Sequence, residues 1–201
     1  TEALVSIASL TLGVMVLGTL ITNAVSTTRV SKDYLLAQNL ITEAIETVKN
    51  VRDTNWLLQP TNRNCWLVLN PTASAGSGCG TSAAVGANYI AIFGNPKWYL
   101  RPSGTSSELN LAANTSSLAS QEPYRLYISS LNLSDGAVTD VTDFYRDSAG
   151  ALGTASAFYR NIKFTEIDSG NNFARLKIAV EWLEGAKVRN ITREFILYNY
   201  L

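Results

Sequence analysis

Cys65 and Cys79 are the residues whose type and spacing most directly suggest chemistry in this sequence. The stretch between them, residues 70–78, is rich in Gly, Ser, Thr and Ala, so the two thiols can meet without strain. Two cysteines are too few for a structural zinc site, which needs four ligands. We therefore predict a Cys65–Cys79 disulfide, worth ~3 kcal/mol for a loop of this size and formed in an oxidising compartment. Two unpaired thiols are the alternative.

Other chemical signals are weak. Histidine is absent, which removes the commonest general base and zinc ligand. The sequence also lacks a glycine-rich phosphate loop. An acidic run lacks the spacing and closing glutamate of a calcium loop, so it is interpreted as a solvated loop; it comprises Asp135, Asp140, Asp143 and Asp147. Three tripeptides fit the glycosylation acceptor pattern, which is common by chance in such a Ser/Thr/Asn-rich chain; they begin at Asn114, Asn132 and Asn190. We expect no catalytic, cofactor-binding or metal site, and no enzymatic activity.

The balance of charge disfavours nucleic acid as the primary ligand. Lys+Arg and Asp+Glu are both 16, whereas nucleic-acid-binding proteins normally carry a basic excess. Charged residues make up only 16% of the chain, below the usual quarter. A polar but weakly charged surface of this kind is typical of secreted and assembled proteins.

The segment 3–25 is free of charged residues and long enough to cross a bilayer as a helix. Glu2 precedes it, and the first basic residues, Arg29 and Lys32, follow it. A signal peptide would begin with a basic region and end at a small-residue cleavage site, so we expect this segment to be retained.

Gly13 and Gly18 interrupt the apolar segment together with several Ser and Thr residues. Small and hydroxylated residues allow helices to approach closely in an apolar medium. Because glycine lowers helix propensity by about 1 kcal/mol relative to alanine, we predict local unwinding between Gly13 and Gly18. The segment is therefore either an ordinary membrane anchor or one that leaves the lipid to pack against copies of itself.

The helical pattern continues beyond the apolar segment. No Pro or Gly occurs in residues 26–53, and apolar residues recur at three- or four-residue spacing. These are Leu36, Ala37, Leu40, Ile41, Ala44, Ile45, Val48 and Val51. We predict one helix over residues 1–53, with a membrane- or filament-core half at 1–28 and an amphipathic half at 29–53. A surface pair between Glu46 and Lys49 is expected on its polar side.

Residues 54–201 have the patterning of a β-rich head. Residues 54–88 are predicted to form an extended connection pinned by the cysteine pair, and later runs show strand chemistry at 89–93, 97–101, 124–129, 137–146 and 157–167. The strongest signal is a hairpin in which Leu176, Ile178, Val180 and Trp182 form an apolar face, residues 175, 177, 179 and 181 a wet face, and 188–198 the returning strand. Packing the helix stripe on this sheet predicts an α+β fold.

Three segments of the helix form a recognisable set: Thr1-Glu2-Ala3-Leu4-Val5 at the start of the apolar part, Ala37-Gln38-Asn39-Leu40 with Glu43, and Val48 to Asp53 followed by Asn55-Trp56. Together they resemble the N-terminal helix of type IV pilins and pseudopilins. The closing pattern, Ile178 to Trp182 and then Leu197-Tyr198-Asn199-Tyr200, is similar to the final hairpin of some family members. Residues 57–156 match nothing in the family.

The resemblance implies a ladle-shaped subunit that waits in the bacterial inner membrane and is then polymerised into an extracellular filament. Its implied partners are copies of itself, the pilus assembly machinery and a prepilin peptidase. Glu2 would set the register by docking beside the terminal amine of an adjacent subunit, and a few residues would precede Thr1. Without the resemblance, Glu2 is an interfacial charge stabilised by the helix dipole. Family members often carry a proline in the apolar half, for which Gly13 and Gly18 would substitute.

Three functions are compatible with these features. The first is a major pilin, used for adhesion, motility or DNA uptake. The second is a minor pilin or a type II secretion pseudopilin. The third, from another class, is a membrane-anchored extracytoplasmic enzyme or binding domain.

Overall fold

The long N-terminal helix predicted from the sequence is confirmed and extends further than expected. In a computed structural model, which describes residues 2–71, 79–94, 97–104, 108–112, 118–129 and 153–199, helix α1 runs over Glu2–Leu58. The predicted end at residue 53 is therefore five residues short of Leu58. The helix ends where Pro60 restricts Gln59, because the residue before a proline disfavours the helical conformation.

In the described part of the chain, six antiparallel strands form a single sheet. They are β1 (Asn88–Gly94), β2 (Lys97–Pro102), β3 (Arg125–Ser129), β4 (Gly153–Ile167), β5 (Phe173–Glu184) and β6 (Lys187–Tyr198). The order is β2-β1-β4-β5-β6, with β3 also paired to β4, so β2 and β6 lie at opposite edges. The predicted strand at 137–146 lies outside the described residues.

The predicted C-terminal hairpin forms as expected. Strands β5 and β6 pair from Phe173↔Tyr198 to Glu184↔Lys187. Gly185 has a φ of 60° at the first central position of the two-residue turn, as a type II′ turn requires. The predicted inward residues Leu176, Ile178, Val180 and Trp182 are all buried.

The second half of α1 packs on this sheet through the predicted apolar stripe, which confirms the α+β fold. Leu40, Ile41, Ala44, Val48 and Val51 are buried. The stripe is not wholly apolar, since Thr47 and Asn55 are also buried. Polar contacts accompany this packing: Arg160 of β4 donates a hydrogen bond to the Leu40 carbonyl, and Arg52 donates to the Tyr198 carbonyl. On the exposed side of the helix, Lys49 pairs with Glu46 at 2.8 Å, as predicted.

The described residues of the predicted connection, 54–71 and 79–88, form more regular structure than an extended connection. The first residues complete α1, and a short 3-10 helix follows at Arg63–Cys65. The chain then enters the core, where Cys65, Trp66, Leu67, Val68 and Leu69 are buried. Val68 forms an isolated bridge with Ser82, and the Leu69 carbonyl accepts a hydrogen bond from the Leu100 amide. This segment is therefore part of the head.

The chain divides into two compact units, residues 1–38 and residues 39–201. The first contains the apolar part of α1. The second contains the remainder of α1 and the whole sheet.

Candidate assembly surface

The apolar part of α1 exposes its large side chains on every side of the helix. Between Leu4 and Val25 these side chains are 48–72% exposed. They are Leu4, Val5, Ile7, Leu10, Leu12, Val14, Met15, Val16, Leu17, Leu20, Ile21 and Val25. A helix that is apolar all round is stable only in lipid or when surrounded by other apolar elements.

Among the described residues, α1 is one helix whose length and composition are sufficient to cross a membrane. Its most apolar 18-residue window has a mean hydropathy of 2.2 and none of it is buried. This is a candidate membrane anchor, as the sequence predicted.

The hydroxyl groups of this segment are satisfied by the helix itself. Ser9 donates to the Val5 carbonyl at 2.9 Å, and Thr22 donates to the Gly18 carbonyl at 2.9 Å. Equivalent bonds to the preceding turn are made by Ser6, Thr19, Thr27 and Thr28. Because these donors are already bonded, the segment can enter an apolar medium without leaving them unsatisfied.

Glu2 lies in the first turn of α1 and is exposed. Its backbone carbonyl accepts the hydrogen bond from Ser6. This position is where the helix dipole favours a carboxylate. A role in register requires a second copy of the chain, and it remains a prediction.

Gly13 and Gly18 are both helical, so the local unwinding predicted for this stretch is not present in the single chain. A Cβ added to either glycine would meet nothing within 4 Å. Five residues apart, they are separated by about 140° around the helix and do not share one face. Their role in helix flexibility during assembly stays a prediction.

The Cys65–Cys79 disulfide forms as predicted, with the two Cα atoms 5.0 Å apart. Cys65 is buried and Cys79 is half-buried. The bond therefore ties residue 79, at the far side of the loop, to the buried segment that follows α1.

A set of polar contacts around the end of α1 was not predicted from the sequence. The buried Asn55 amide donates to the Trp66 carbonyl at 3.1 Å and to the Val68 carbonyl at 2.9 Å. The Trp56 indole donates to the Asn199 side chain at 3.0 Å. These bonds fix the segment after the helix and the end of β6. The available sequence signal was an asparagine four residues after Val51, where the apolar stripe of the helix would continue.

Glu181 is buried, although the alternation of the sequence predicted that its face of β5 is exposed to solvent. It is only 9% exposed, and one carboxylate oxygen accepts a hydrogen bond from the Leu111 amide at 2.7 Å. Burial raises the pKa of this carboxyl above its ordinary value. The loop that covers it also contributes Leu109 and Leu111 to a cluster with Tyr124 and Tyr159.

Within the described ranges no group of three or more Cys, Asp or Glu side chains is placed to hold a metal ion. The acidic run of Asp135, Asp140, Asp143 and Asp147, and the tripeptides beginning at Asn114 and Asn132, lie outside those ranges. Asn190 lies on the exposed part of β6.

Comparison of the chain with protein-family models, with curated proteins and with solved structures finds no match.

Proposed function

We propose that this chain is the structural subunit of a type IV pilus, a major pilin that polymerises through its N-terminal helix into an extracellular filament. The observation that carries the proposal is the exposure, on all sides, of the apolar residues between Leu4 and Val25. A second half of the same helix is covered by the sheet. The choice of protein family in this proposal comes from the resemblance of the sequence to type IV pilins.

Two environments can cover the exposed apolar segment. Apolar surface removed from water contributes about 25 cal/mol per Å², and lipid tails and neighbouring apolar helices remove it equally well. Because the Ser and Thr hydroxyls bond to their own helix, neither environment leaves them without acceptors. The segment can therefore move from bilayer to helix bundle while these Ser and Thr hydroxyls keep their hydrogen bonds.

The proposed route has two locations. The subunit first lies in the bacterial inner membrane, where the prepilin peptidase and the assembly machinery act on it. It then joins the filament outside the cell, where adhesion, motility or DNA uptake takes place. The disulfide supports an oxidising location for the head, since such bonds persist outside reducing compartments.

The test is electron microscopy of filaments sheared from cells that make the full-length chain, with mass spectrometry of their main protein band. We expect filaments whose main band is this polypeptide. A trace amount in filaments made mainly of another protein would indicate a minor pilin or pseudopilin. Recovery only from membranes, as a monomer, would contradict the proposal and favour an anchored enzyme or binding domain.

A matched control uses the same cells producing a Val14→Arg variant. Val14 lies in the middle of the exposed apolar segment. A buried unpaired charge there disfavours both lipid and bundle. Filaments should therefore disappear, which shows that the particles depend on this chain.

A further inference from the structure

A row of polar side chains begins where the exposed apolar part of α1 ends. Its members, which we call the polar row, are Asn23, Ser26, Arg29 and Lys32. They follow one another at three-residue spacing, so each is a neighbour of the next on the surface of the helix. All four are exposed. The polar row is thus a continuous surface at the end of the segment that could cross a membrane.

The side chains of the polar row are available to a ligand. Hydroxyl groups of the preceding segment, such as those of Thr19 and Thr22, donate to carbonyls of their own helix. In contrast, the side-chain amide of Asn23 and the hydroxyl of Ser26 make no hydrogen bond with any described residue. The cationic groups of the row likewise form no ion pair or hydrogen bond within the described ranges. The row therefore offers two cations and two neutral donors on one surface.

The polar row lies at the level of the phospholipid headgroups if residues 3–25 span the bilayer. As a helix this segment is about 35 Å long, which matches a hydrocarbon core about 30 Å thick. Arg29 lies about 6 Å and Lys32 about 10 Å beyond Val25 along the helix. The headgroup region of each leaflet is about 5–8 Å thick. Because helical side chains lean towards the N-terminus of the helix, both long side chains extend back into that region.

One carboxylate, that of Asp33, lies close to the polar row in the sequence. Asp33 is half-buried, and within the described part of the chain it forms no ion pair with Arg29 or Lys32. Its Cα lies about 12 Å beyond Val25, and its short side chain does not reach the depth of the two cations. Between Glu2 and Asp33 the sequence has no acidic residue. The charge of this chain at headgroup level is therefore positive.

We propose that the polar row binds the phosphate of an anionic phospholipid, such as phosphatidylglycerol, at the surface of the bilayer. The Arg29 guanidinium can donate two parallel hydrogen bonds to phosphate oxygens, and Lys32 adds a second positive charge. The Asn23 amide and the Ser26 hydroxyl supply further donors at the base of the headgroup. A zwitterionic headgroup is a poorer ligand, because its own ammonium group offsets the phosphate charge.

This contact would fix the depth of the subunit in the membrane, and it would have to break when the helix leaves the bilayer. The inference rests on the membrane stage of the proposed function. The ligand is a lipid headgroup rather than free phosphate, because the bilayer holds the headgroup beside the row at high local concentration.

The test uses the full-length chain in vesicles of equimolar phosphatidylcholine and phosphatidylglycerol. Native mass spectrometry of the chain released into mild detergent counts the molecules of each lipid that it retains. Wild type should retain phosphatidylglycerol over phosphatidylcholine by at least about fivefold, the factor that one cation near an anionic membrane surface provides. Arg29→Gln combined with Lys32→Gln should retain the two lipids equally.

Lys187→Gln combined with Arg193→Gln is the matched control. It removes the same two charges from exposed positions on β6, so the lipid preference of wild type should remain. Excess inorganic phosphate should not displace the retained phosphatidylglycerol, whereas raised salt during release should weaken the preference by screening.

Equal retention of both lipids by wild type would overturn the inference. Loss of the preference in the β6 control as well would overturn it too, because net charge rather than the polar row would then select the lipid. Displacement by inorganic phosphate would show that the row does not depend on a lipid. If the wild-type chain does not float with vesicles at all, the membrane stage of the proposed function fails; if it floats without lipid preference, only this inference fails.

Discussion

Glu181 shows how one covering loop changes the state of a residue. The strand pattern alone places it on the wet face of β5, but the Leu111 amide donates to its carboxylate from the loop above. Desolvation by this burial raises the pKa of the carboxyl, and the bond from Leu111 opposes that effect. The group therefore makes the stability of the head depend on pH.

Replacing Glu181 with Gln should remove that dependence. A raised pKa in the folded state means that folded chains hold the proton more tightly than unfolded chains do. The contribution of Glu181 to the free energy of unfolding is thus fully present below the ordinary pKa of 4.5. It falls as the pH rises from there through the raised folded pKa. Glutamine keeps an acceptor for Leu111, so Glu181→Gln should gain stability relative to wild type across this window.

The measurement is denaturant unfolding of the full chain in detergent micelles, followed by tryptophan fluorescence at several pH values. Glu194→Gln, an exposed position on the adjoining strand, controls for the substitution itself. Parallel stability curves for wild type and Glu181→Gln would show that the Glu181 pKa does not differ between folded and unfolded chains.

The second prediction at the residue scale concerns the role of Glu2 in setting the register of assembly. Replacing Glu2 with Ala should lower filament assembly by about tenfold, equivalent to ~1.4 kcal/mol of subunit contact, while membrane insertion is retained. Filament yield and membrane flotation measure the two effects separately. Ser6→Ala one turn later is the control, since its hydroxyl donates to the backbone carbonyl of Glu2 and leaves the Glu2 carboxylate unchanged. Wild-type yield from Glu2→Ala would count against a register role.

At the scale of elements, three separate interactions stabilise the segment at residues 65–69, which follows α1. Asn55 bonds to two of its carbonyls, the side chains from Cys65 to Leu69 are buried, and the disulfide closes it. An unmade bond to a buried polar group costs about 1–3 kcal/mol, so the helix end and this segment depend on each other.

Removing the disulfide should loosen this segment without melting α1. Cys65→Ser combined with Cys79→Ser should lower the free energy of unfolding by about 3 kcal/mol, because the unfolded chain regains the entropy of an open loop. Limited proteolysis should cleave between residues 59 and 88 faster, while far-UV circular dichroism keeps its helical signal. Reductant should make the wild type behave like the double variant and leave the double variant unaffected. Equal protease resistance of the wild type with and without reductant would contradict this role.

At the scale of the whole molecule, the chain combines a unit that buries its apolar residues with a unit that leaves them exposed. Residues 39–201 bury a core between helix and sheet, whereas residues 1–38 include an apolar helix that the chain itself does not cover. The net charge of the whole chain is zero. The exposed helix is therefore the part of the chain that requires an apolar environment from elsewhere.

If residues 3–25 span the bilayer, the effect of an introduced charge on membrane binding should depend on its position along α1. Val14→Arg should lower the fraction of full-length chain that floats with phospholipid vesicles after cell-free synthesis, since an arginine at the centre of a spanning helix costs about 2.5–3.5 kcal/mol. Leu35→Arg is the control, because Leu35 is equally exposed but lies beyond the apolar segment. Equal flotation of the two variants would show that residues 3–25 do not span the bilayer.

Local patterns determined the elements of this protein. The spacing of apolar residues predicted a helix over residues 1–53, strict alternation predicted the β5–β6 hairpin and its inward face, and a flexible loop between two cysteines predicted their bond. Each of these signals is contained within a short stretch of chain, so a linear reading can find it. The extension of α1 to Leu58 follows from the same kind of signal, since Pro60 lies just beyond.

Which element covers which apolar face became apparent only from the folded structure. The order β2-β1-β4-β5-β6, the burial of residues 65–69, the two bonds of Asn55 and the covered state of Glu181 each join residues far apart in the chain. Periodicity reports which face of an element is apolar but not which partner covers it, because many pairings satisfy the same pattern. Likewise, the position of Trp98 of β2 beside the second half of α1 depends on the order of the strands in the sheet.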